Sequence, residues 1–374
     1  MSKLSYGFNT LRKKYSRWLV YMFKSRSDIM GLRLTTTWKC NSKCVTCSIW
    51  KIPEAGINDL SVEEIDRFSR SRYFRNTEYV TFSGGEPTLR ADLPEIVSVL
   101  HKNLPKARFQ ITTNGLNPQL EENLFRKIVK DNPGINFSLV GISLNGPPEI
   151  HDFTRGMPGS WQKAVETYER LKNIVHCEFS FTFCRHNADY FEWVCNFARE
   201  KGTRAYICWT VMNSRFNVED EDLVFWKPAM VEIFRKYVES IPPNPQTIFD
   251  KIRGLLGLDS KTTHDCLYDN IIHRRLMPCY AGSQIVHVAP NGDVYPCNFK
   301  LTDDRIMGNL RKNDFDTIWE SFSKKVAGEI ARGECMYPNG LCGDSEIYPS
   351  ICNNPPFVLW WFLRRILRIE RPGK

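Results

Sequence analysis

Short apolar runs alternate with amphipathic segments between residues 28 and 215. The runs are rich in β-branched and aromatic residues, as in buried strands, and the segments between them have helical spacing. This alternation predicts an α/β protein, in which helices pack outside a parallel sheet that curls into a partial or full barrel. The predicted strands are Met30–Thr37, Tyr79–Phe82, Phe109–Thr112, Leu139–Leu144, Cys177–Cys184 and Ala205–Val211.

The helix starts carry signals of their own. Ser61 and Asp92 are each followed three residues later by a glutamate, the spacing of a capping box, so we expect a capped helix after each. Further helices are expected at Pro118–Lys130, Trp161–Asn173 and Ala188–Lys201.

The alternation stops near residue 215, and a cysteine-rich stretch follows a proline-rich break at 241–245. Within that stretch Ile285–Pro296 has the pattern of a hairpin that turns at Asn291-Gly292. We therefore expect five parts: a basic amphipathic N-terminal segment (1–27), a barrel (28–215), a helical connection (216–254), a cysteine-rich module (255–356) and a basic amphipathic C-terminal helix (357–374).

Composition and charge narrow the classes of function. Hydrophobic residues make up 42% of the 374 residues, enough for a sizeable core. The net charge of +9 is concentrated at the two ends, so the body is close to neutral and we expect no nucleic-acid partner.

The two ends of the chain combine basic and aromatic residues. The patterns of Tyr15–Phe23 and Phe357–Arg371 suit the headgroup region of an anionic membrane, although both could instead dock on the barrel or on a partner protein. The apolar run Trp18–Phe23 is too short for a secretory signal. We expect a cytoplasmic protein, peripheral on the inner face of the membrane.

The cysteines carry the strongest chemical signal. There are thirteen, and without export they are more consistent with metal ligands than with disulfides. Cys40, Cys44 and Cys47 lie in a loop just after the first strand, where three thiolates can hold three corners of a [4Fe–4S] cluster. The fourth iron would stay open to a small molecule. The spacing alone also allows a zinc site or unrelated buried thiols.

The spacing C-x3-C-x2-C, with Gly84-Gly85-Glu86-Pro87 after the second strand, resembles the radical S-adenosylmethionine (SAM) superfamily. The resemblance implies a partial (β/α)6 TIM-like barrel in which the open iron chelates the amino and carboxylate groups of SAM. It also implies that a small reductant protein, such as flavodoxin or ferredoxin, supplies one electron. SAM is then cleaved to a 5′-deoxyadenosyl radical that removes hydrogen from a substrate. The residues that the resemblance places at SAM are Gly84, Gly85, Glu86, Pro87, Asn114, Ser143 and Arg155.

The resemblance is incomplete at two positions. Thr46 stands where relatives usually have an aromatic residue before the third cysteine, so Ile49 or Trp50 could supply the adenine contact. Asn145 stands where relatives usually have aspartate, and an amide cannot serve as a proton acceptor. The alternative for Ser143 and Arg155 is a turn residue and a surface arginine.

A second cysteine group lies near the C-terminus. The pattern Cys279-x12-Gly292-x4-Cys297 resembles a SPASM/twitch extension, which implies an auxiliary [4Fe–4S] cluster. Zinc would suit four cysteines equally well. The expected ligands are Cys279, Cys297, Cys335 and Cys342, with Cys352 or Cys266 as substitutes. We expect the remaining thiols to act as small buried apolar groups, namely Cys177, Cys184, Cys195 and Cys208.

The sequence thus predicts a radical SAM oxidoreductase or maturase, but it does not identify the substrate. The basic, aromatic termini favour a lipid or lipid-linked sugar at the membrane surface. The alternatives are a peptide- or protein-modifying maturase of the SPASM type, and a zinc-stabilised binding module without turnover.

Overall fold

The computed structural model describes residues 28–53, 55–209, 279–297 and 303–322, with six isolated positions at 232, 235, 236, 356, 360 and 363. The chain forms two compact units, and most of the described residues belong to the unit made of 28–227 and 284–322. The predicted terminal helices, the connection at 216–254, and Cys266, Cys335, Cys342 and Cys352 lie outside the described residues. In the described part, no helix is long and apolar enough to cross a membrane.

Strands and helices alternate as predicted. The strands are β1 (Gly31–Thr37), β2 (Tyr79–Gly84), β3 (Arg108–Thr113), β4 (Phe137–Ser143), β5 (Cys177–Phe183), β6 (Ala205–Trp209), β7 (Ile285–Val288), β8 (Asp293–Tyr295) and β9 (Gly308–Asn309). The helices are α1 (Val62–Ser69), α2 (Leu93–Asn103), α3 (Pro118–Asp131), α4 (Pro148–Arg155), α5 (Ser160–Leu171), α6 (Phe191–Glu200) and α7 (Phe315–Ser321).

One mixed sheet contains every described strand. Its order is β6-β5-β4-β3-β2-β1-β7-β8-β9. Strands β1 to β6 pair in parallel with their sequence neighbours, and β7 adds in parallel to the other side of β1, with Gly31 opposite Ile285. The hairpin around Asn291-Gly292 is confirmed: β7 and β8 are antiparallel, and Gly292 takes φ +87° at the turn. The sheet of the barrel therefore continues into the C-terminal hairpin.

The main core lies between the sheet and its helices. Alternate strand residues such as Val80, Phe109 and Phe179 are completely buried. Phe179 packs against Tyr168 of α5, with ring centroids 4.8 Å apart. Because side chains alternate along a strand, the intervening residues point to the concave face of the sheet, away from the helices.

Of the two predicted capping boxes, the one at Ser61 is confirmed and the one at Asp92 is not. Ser61 and Glu64 form the reciprocal bonds of a capping box at the start of α1, as predicted. The prediction for Asp92 is wrong: its side chain makes no capping bond to α2. The carboxylate instead accepts two hydrogen bonds from Arg90, with Nε at 2.8 Å and Nη2 at 2.5 Å. A charged bidentate partner competes successfully with a neutral backbone N–H.

A tyrosine crosses the concave face. The Tyr206 hydroxyl of β6 hydrogen-bonds to Thr112 of β3, so its side chain passes over β5 and β4. A Cβ atom at Gly141 of β4 would lie 2.0 Å from that hydroxyl. Glycine at position 141 thus makes room for the tyrosine, which occupies the inside of the barrel at that level.

We expect Gly141→Ala to lower the free energy of unfolding by about 1–3 kcal/mol, the usual cost of overpacking a core. The loss should be smaller in a Tyr206→Phe background, because the clashing oxygen is then absent. Thermal or urea unfolding of both single variants and the double variant measures this coupling. Additive effects of the two substitutions would contradict the packing described here.

Candidate active site

The three predicted cluster ligands share one loop, which is fixed to the end of α4. The backbone N–H of Lys43 donates to the Arg155 carbonyl over 3.1 Å, and that of Val45 donates to the Thr154 carbonyl over 3.0 Å. Gly156 ends α4 with φ +62°, and a Cβ atom there would lie 2.2 Å from the Lys43 carbonyl oxygen. The loop and the helix end therefore hold each other in place.

The thiols of this loop are close enough that the charge of a neighbouring thiolate affects the pKa of Cys40 and that of Cys47. Burial, with a smaller contribution from the neighbouring thiol of Cys44, raises the pKa of Cys40 to about 11 and that of Cys47 to about 12. A cationic iron cluster is the partner that makes such thiolates favourable.

No set of three or more His, Cys, Asp or Glu side chains in the described ranges converges on a single metal ion. A [4Fe–4S] cube does not require such a point, because its thiolates bind separate irons. The three thiolates of this loop match three corners of such a cube.

The glycine pair brings β2 against the cysteine loop. The N–H groups of Gly85 and Glu86 donate to the carbonyls of Thr37 and Lys39, each over 2.8 Å. Added Cβ atoms would lie 2.3 Å from the Thr37 oxygen at Gly84 and 2.2 Å from the Lys39 oxygen at Gly85. Neither position can carry a side chain without moving the loop that holds the cysteines.

Glu86 links this turn to the end of β3. Its carboxylate accepts hydrogen bonds from the Thr88 N–H and hydroxyl and from the Asn114 N–H, at 3.1, 2.7 and 2.7 Å. Asn114 in turn donates its side-chain N–H to Asn41 of the cysteine loop, over 2.7 Å. Pro87 is buried at the start of the short 3₁₀ helix that Glu86 caps. Glu86 and Asn114 are thus joined to the backbone of the site.

A second buried acid lies beside Glu86. Glu121 of α3 accepts a hydrogen bond of 2.9 Å from the Thr113 hydroxyl, which also reaches Glu86. Neither carboxylate forms an ion pair in the described part of the chain, and both are almost fully buried. Burial, and then the charge of Glu86, raise the pKa of Glu121 to about 8. The pair therefore keeps a proton at neutral pH.

This proton makes stability depend on pH. The unfolded chain loses it near pH 4.5, and the folded chain keeps it up to a pKa of about 8, so folding stability falls as pH rises through that window. Glu121→Gln removes the titration, and we expect its melting temperature to rise relative to wild type between pH 5 and 8. The neighbouring Glu122→Gln is the control: Arg170 and Arg126 lower the pKa of Glu122, so this carboxylate stays charged between pH 5 and 8 and the melting profile of the variant should run parallel to that of wild type. Parallel wild-type and Glu121→Gln melting profiles would contradict the assignment.

Arg155 donates a hydrogen bond to a cysteine sulfur and has further N–H groups without a partner in the described residues. Its Nη1 atom donates to the Cys44 sulfur over 3.4 Å, while its buried Nε and Nη2 atoms have no partner in the described residues. Two parallel guanidinium N–H groups match a carboxylate. The Ser143 hydroxyl group is buried at the end of β4. Both residues therefore have the donors that a SAM carboxylate or ribose requires.

His151 is, with Glu121, a polar residue that the sequence analysis missed. His151 lies one turn before Arg155 on α4 and is completely buried, and burial lowers its pKa to about 3. Its Nδ1 accepts the Asn145 N–H over 3.0 Å, which assigns the proton to Nε2. That Nε2 is buried without a partner in the described residues. The i,i+4 spacing of His151 and Arg155 was the available signal.

Asn145 and Cys208 occupy structural positions at strand ends. The Asn145 side chain accepts the Thr182 N–H over 3.0 Å and so joins the end of β4 to the end of β5. The Cys208 sulfur lies 3.3 Å from the Ser180 hydroxyl on the concave face. Cys177 and Cys184 are buried, as expected for small apolar groups.

Only part of the second cysteine group lies in the described residues. Cys279 is buried, and Cys297 is half-buried just after β8. The turn before β8 is fixed by Asn309, which donates to the Asn291 carbonyl and to Asp293 at 3.1 and 2.8 Å.

Two known protein-family patterns match separate segments of the chain. The Radical SAM superfamily pattern matches residues 34–198, and that of SPASM, an iron–sulfur cluster-binding domain, matches residues 279–339. The chain belongs to the radical SAM superfamily and carries a SPASM extension. It is therefore an enzyme whose cofactors are a [4Fe–4S] cluster and SAM, with an auxiliary iron–sulfur cluster in the extension.

Several curated proteins resemble this radical SAM enzyme. The Fe-coproporphyrin III synthase of Methanosarcina barkeri is 32% identical over 175 residues, which are 47% of this chain and 39% of that protein. The mycofactocin maturase MftC of Mycobacterium ulcerans is 28% identical over 322 residues, 82% of this chain and 78% of that protein. The AdoMet-dependent heme synthase of M. barkeri is 25% identical over 84% of this chain and 87% of that protein.

Solved structures support the fold. The anSMEcpe structure with bound AdoMet has a TM-score of 0.57 at 18% identity and covers 91% of this chain and 98% of that one. Streptococcus suis SuiB bound to precursor peptide SuiA has a TM-score of 0.56 at 15% identity, covering 86% of this chain and 70% of that one. The expected partial barrel of the radical SAM type is thus confirmed.

Proposed function

We propose that this enzyme is a maturase that modifies a peptide or protein side chain. The observation that carries the proposal is the similarity to mycofactocin maturase MftC, which spans 82% of the chain and 78% of that protein. This similarity supports a peptide substrate better than the lipid or lipid-linked sugar, which rested on terminal segments outside the described residues.

The concave face is consistent with a peptide substrate. Near the carboxyl ends of the strands, β1 to β5 each present a neutral hydroxyl group there. These are Thr35, Ser83, Thr112, Ser143 and Thr182. Hydroxyl groups can hydrogen-bond to the amides of a peptide.

Within this proposal Cys40, Cys44 and Cys47 hold the [4Fe–4S] cluster. Gly84 and Gly85 let the β2 turn approach the cysteine loop. Arg155, Ser143 and His151 provide donors for SAM. When bound, the cluster and SAM supply hydrogen-atom abstraction through reductive cleavage of SAM.

The remaining groups position the site and limit access to it. Glu86 and Asn114 tie the ends of β2 and β3 to the cysteine loop, so the three elements keep one arrangement. Tyr206 occupies the barrel interior below the site, which limits the access of water to the reacting groups from that side. In the C-terminal extension, Cys279, Cys297, Cys335 and Cys342 are the proposed ligands of the auxiliary cluster, with Cys352 or Cys266 as substitutes.

An extract-fractionation assay tests the substrate class. The reconstituted enzyme, SAM and dithionite are incubated anaerobically with a peptide-and-protein fraction of the source cells, with a lipid extract, or with iron-coproporphyrin. We expect the peptide fraction to raise 5′-deoxyadenosine formation above the substrate-free rate, and protease treatment of that fraction to abolish the increase. Stimulation by the lipid extract or the porphyrin alone would refute the proposal. Iron and sulfide analysis addresses the zinc alternative, which predicts zinc without sulfide.

A further inference from the structure

Three hydrogen-bonded side chains form a row across the concave face of the sheet. The Thr35 hydroxyl of β1 lies 2.9 Å from His287 Nε2 of β7 and 3.3 Å from the Ser83 hydroxyl of β2. Strands β2, β1 and β7 are neighbours in the sheet. Ser83 directly precedes the Gly84-Gly85 turn, which packs on the cysteine loop. The row therefore leads from the edge of the active site to a histidine on the strand that the extension contributes.

The row has an accessible end and an enclosed end. Ser83 is half-buried, whereas Thr35 is 2% exposed and His287 is 1% exposed. A group bound on the concave face can contact Ser83 directly, but it reaches the imidazole ring only through the two hydroxyl groups. Hydroxyl groups both donate and accept hydrogen bonds, so they can pass a proton along such a row.

The side chains on either side of His287 are not bases at neutral pH. Its register partners on the neighbouring strands are Arg33 of β1 and Tyr295 of β8. The ring centroids of His287 and Tyr295 lie 6.2 Å apart. Arginine and the phenol of tyrosine do not take up a proton near neutral pH, whereas a neutral imidazole does.

Two other polar residues of the barrel are poorly suited to this task. Asn145 stands where relatives usually have aspartate, and its amide cannot take up a proton. Glu178 lies near the start of β5, at the end of the strands away from the cysteine loop, and it accepts a 2.7 Å hydrogen bond from Arg204. A proton released near the carboxyl ends of the strands is therefore closer to the row that ends at His287.

We propose that His287 takes up, through Ser83 and Thr35, the proton that the substrate releases when its radical is oxidised. The inference rests on the proposed function, but it requires from it only that a substrate radical forms on the concave face. Thr35 donates to His287 Nε2 and Ser83 donates to Thr35, so a proton arriving at Ser83 shifts one hydrogen at each step and ends on the ring.

This step completes a two-electron oxidation of the substrate. The substrate first loses a hydrogen atom from a C–H bond, and that atom ends in 5′-deoxyadenosine. The substrate radical then loses one electron to the auxiliary iron–sulfur cluster and one proton from an adjacent N–H, O–H or C–H bond. A double bond or a cross-link forms in place of the two bonds that were broken. The row provides the acceptor for the proton.

The test separates hydrogen abstraction from proton loss. Reconstituted enzyme with equimolar SAM is reduced anaerobically with dithionite, in the presence of the cell fraction that raises 5′-deoxyadenosine formation in wild type. Freeze-quenched samples are analysed for 5′-deoxyadenosine and, by electron paramagnetic resonance, for an organic radical. His287→Gln keeps a polar side chain without a basic nitrogen, and Thr35→Val removes a hydroxyl group at nearly constant shape. Thr35→Ser keeps that hydroxyl. The control is His176→Gln, at an exposed histidine just before β5.

We expect decay of the organic radical to slow by about 100-fold in His287→Gln and in Thr35→Val, within the range that a general base contributes. The yield of 5′-deoxyadenosine in the first turnover should fall far less, because the hydrogen atom leaves before the proton. Thr35→Ser should recover most of the loss seen in Thr35→Val, and His176→Gln should behave as wild type does.

Two results would overturn the proposal. One is radical decay at the wild-type rate in both His287→Gln and Thr35→Val. The other is an equal slowing of hydrogen abstraction and radical decay, which is the effect of a merely structural role. Failure of the proposed function is distinguishable: if only the lipid extract or the porphyrin stimulates wild type, the peptide substrate is refuted and the same variants are compared with that fraction. A wild type that no fraction stimulates would refute the premise of both.

Discussion

Cys44→Ala is expected to abolish 5′-deoxyadenosine formation and to remove the [4Fe–4S] complement of iron and sulfide from the barrel. The Cys44 sulfur lies in the middle of the donor set, 3.1 Å from the Ser42 hydroxyl and 3.4 Å from Arg155 Nη1. Two remaining thiolates cannot hold three corners of a cube. The cofactor carries the reaction, so the loss of activity should be complete rather than graded.

The matched control is Cys195→Ala, which removes a partly buried thiol from α6. Both proteins should fold, because the cysteine loop is also held by backbone hydrogen bonds to α4. Iron and sulfide per chain, the visible spectrum and anaerobic product analysis with dithionite provide the comparison. If Cys44→Ala keeps the wild-type iron content and still forms 5′-deoxyadenosine, the ligand assignment is wrong.

Gly85→Ala is expected to weaken SAM binding by about 10- to 100-fold, because overpacking costs about 1–3 kcal/mol and the turn that lines the site must move to relieve it. The added Cβ atom would lie 2.2 Å from the Lys39 carbonyl oxygen and 2.7 Å from the Trp38 carbonyl oxygen. Both atoms belong to the backbone that leads into Cys40, so the clash can be relieved only by moving the cysteine loop or the β2 turn. The affinity is measured by equilibrium dialysis of SAM against the reconstituted protein.

Gly134→Ala is the control variant for Gly85→Ala. Gly134 takes φ +83°, so alanine would be strained there, but an added Cβ atom meets nothing within 4 Å. We expect this variant to lose stability and to bind SAM normally. Wild-type SAM affinity in Gly85→Ala would show that the close approach at position 85 does not position the cofactor.

The predictable parts of the fold are those that depend on local signals. The strands, the Ser61 capping box and the Asn291-Gly292 turn each follow from residues adjacent in sequence. The prediction for Asp92 was wrong because the Asp92 carboxylate accepts hydrogen bonds from Arg90 and not from the helix backbone. The spacing of residues along a helix does not show which of these two donors the carboxylate will bind. The addition of β7 beside β1 could not be anticipated, because it joins residues more than 250 positions apart.

Some residues of the candidate site could likewise be predicted from local sequence motifs, and others could not. Its cysteines and glycines stand in compact motifs, so their grouping could be expected from strand order. His151 shares a helix face with Arg155, which was a signal for its position, but its role, like that of Glu121, depends on burial and on which partners the folded chain leaves near it. The fit between Gly141 and Tyr206 likewise depends on a contact between strands that are not neighbours.

The pairing of β7 with β1 has a consequence for biosynthesis. Strand β1 leads into the cysteine loop, and its second edge remains open until residues 285–288 have been translated and have paired with it. An open strand edge is prone to pair with other chains, and contacts this distant in sequence form slowly. A protein that ended after β6 would keep that edge exposed next to its cluster ligands. The strand edge beside the cluster ligands is therefore closed only when the C-terminal hairpin pairs with β1.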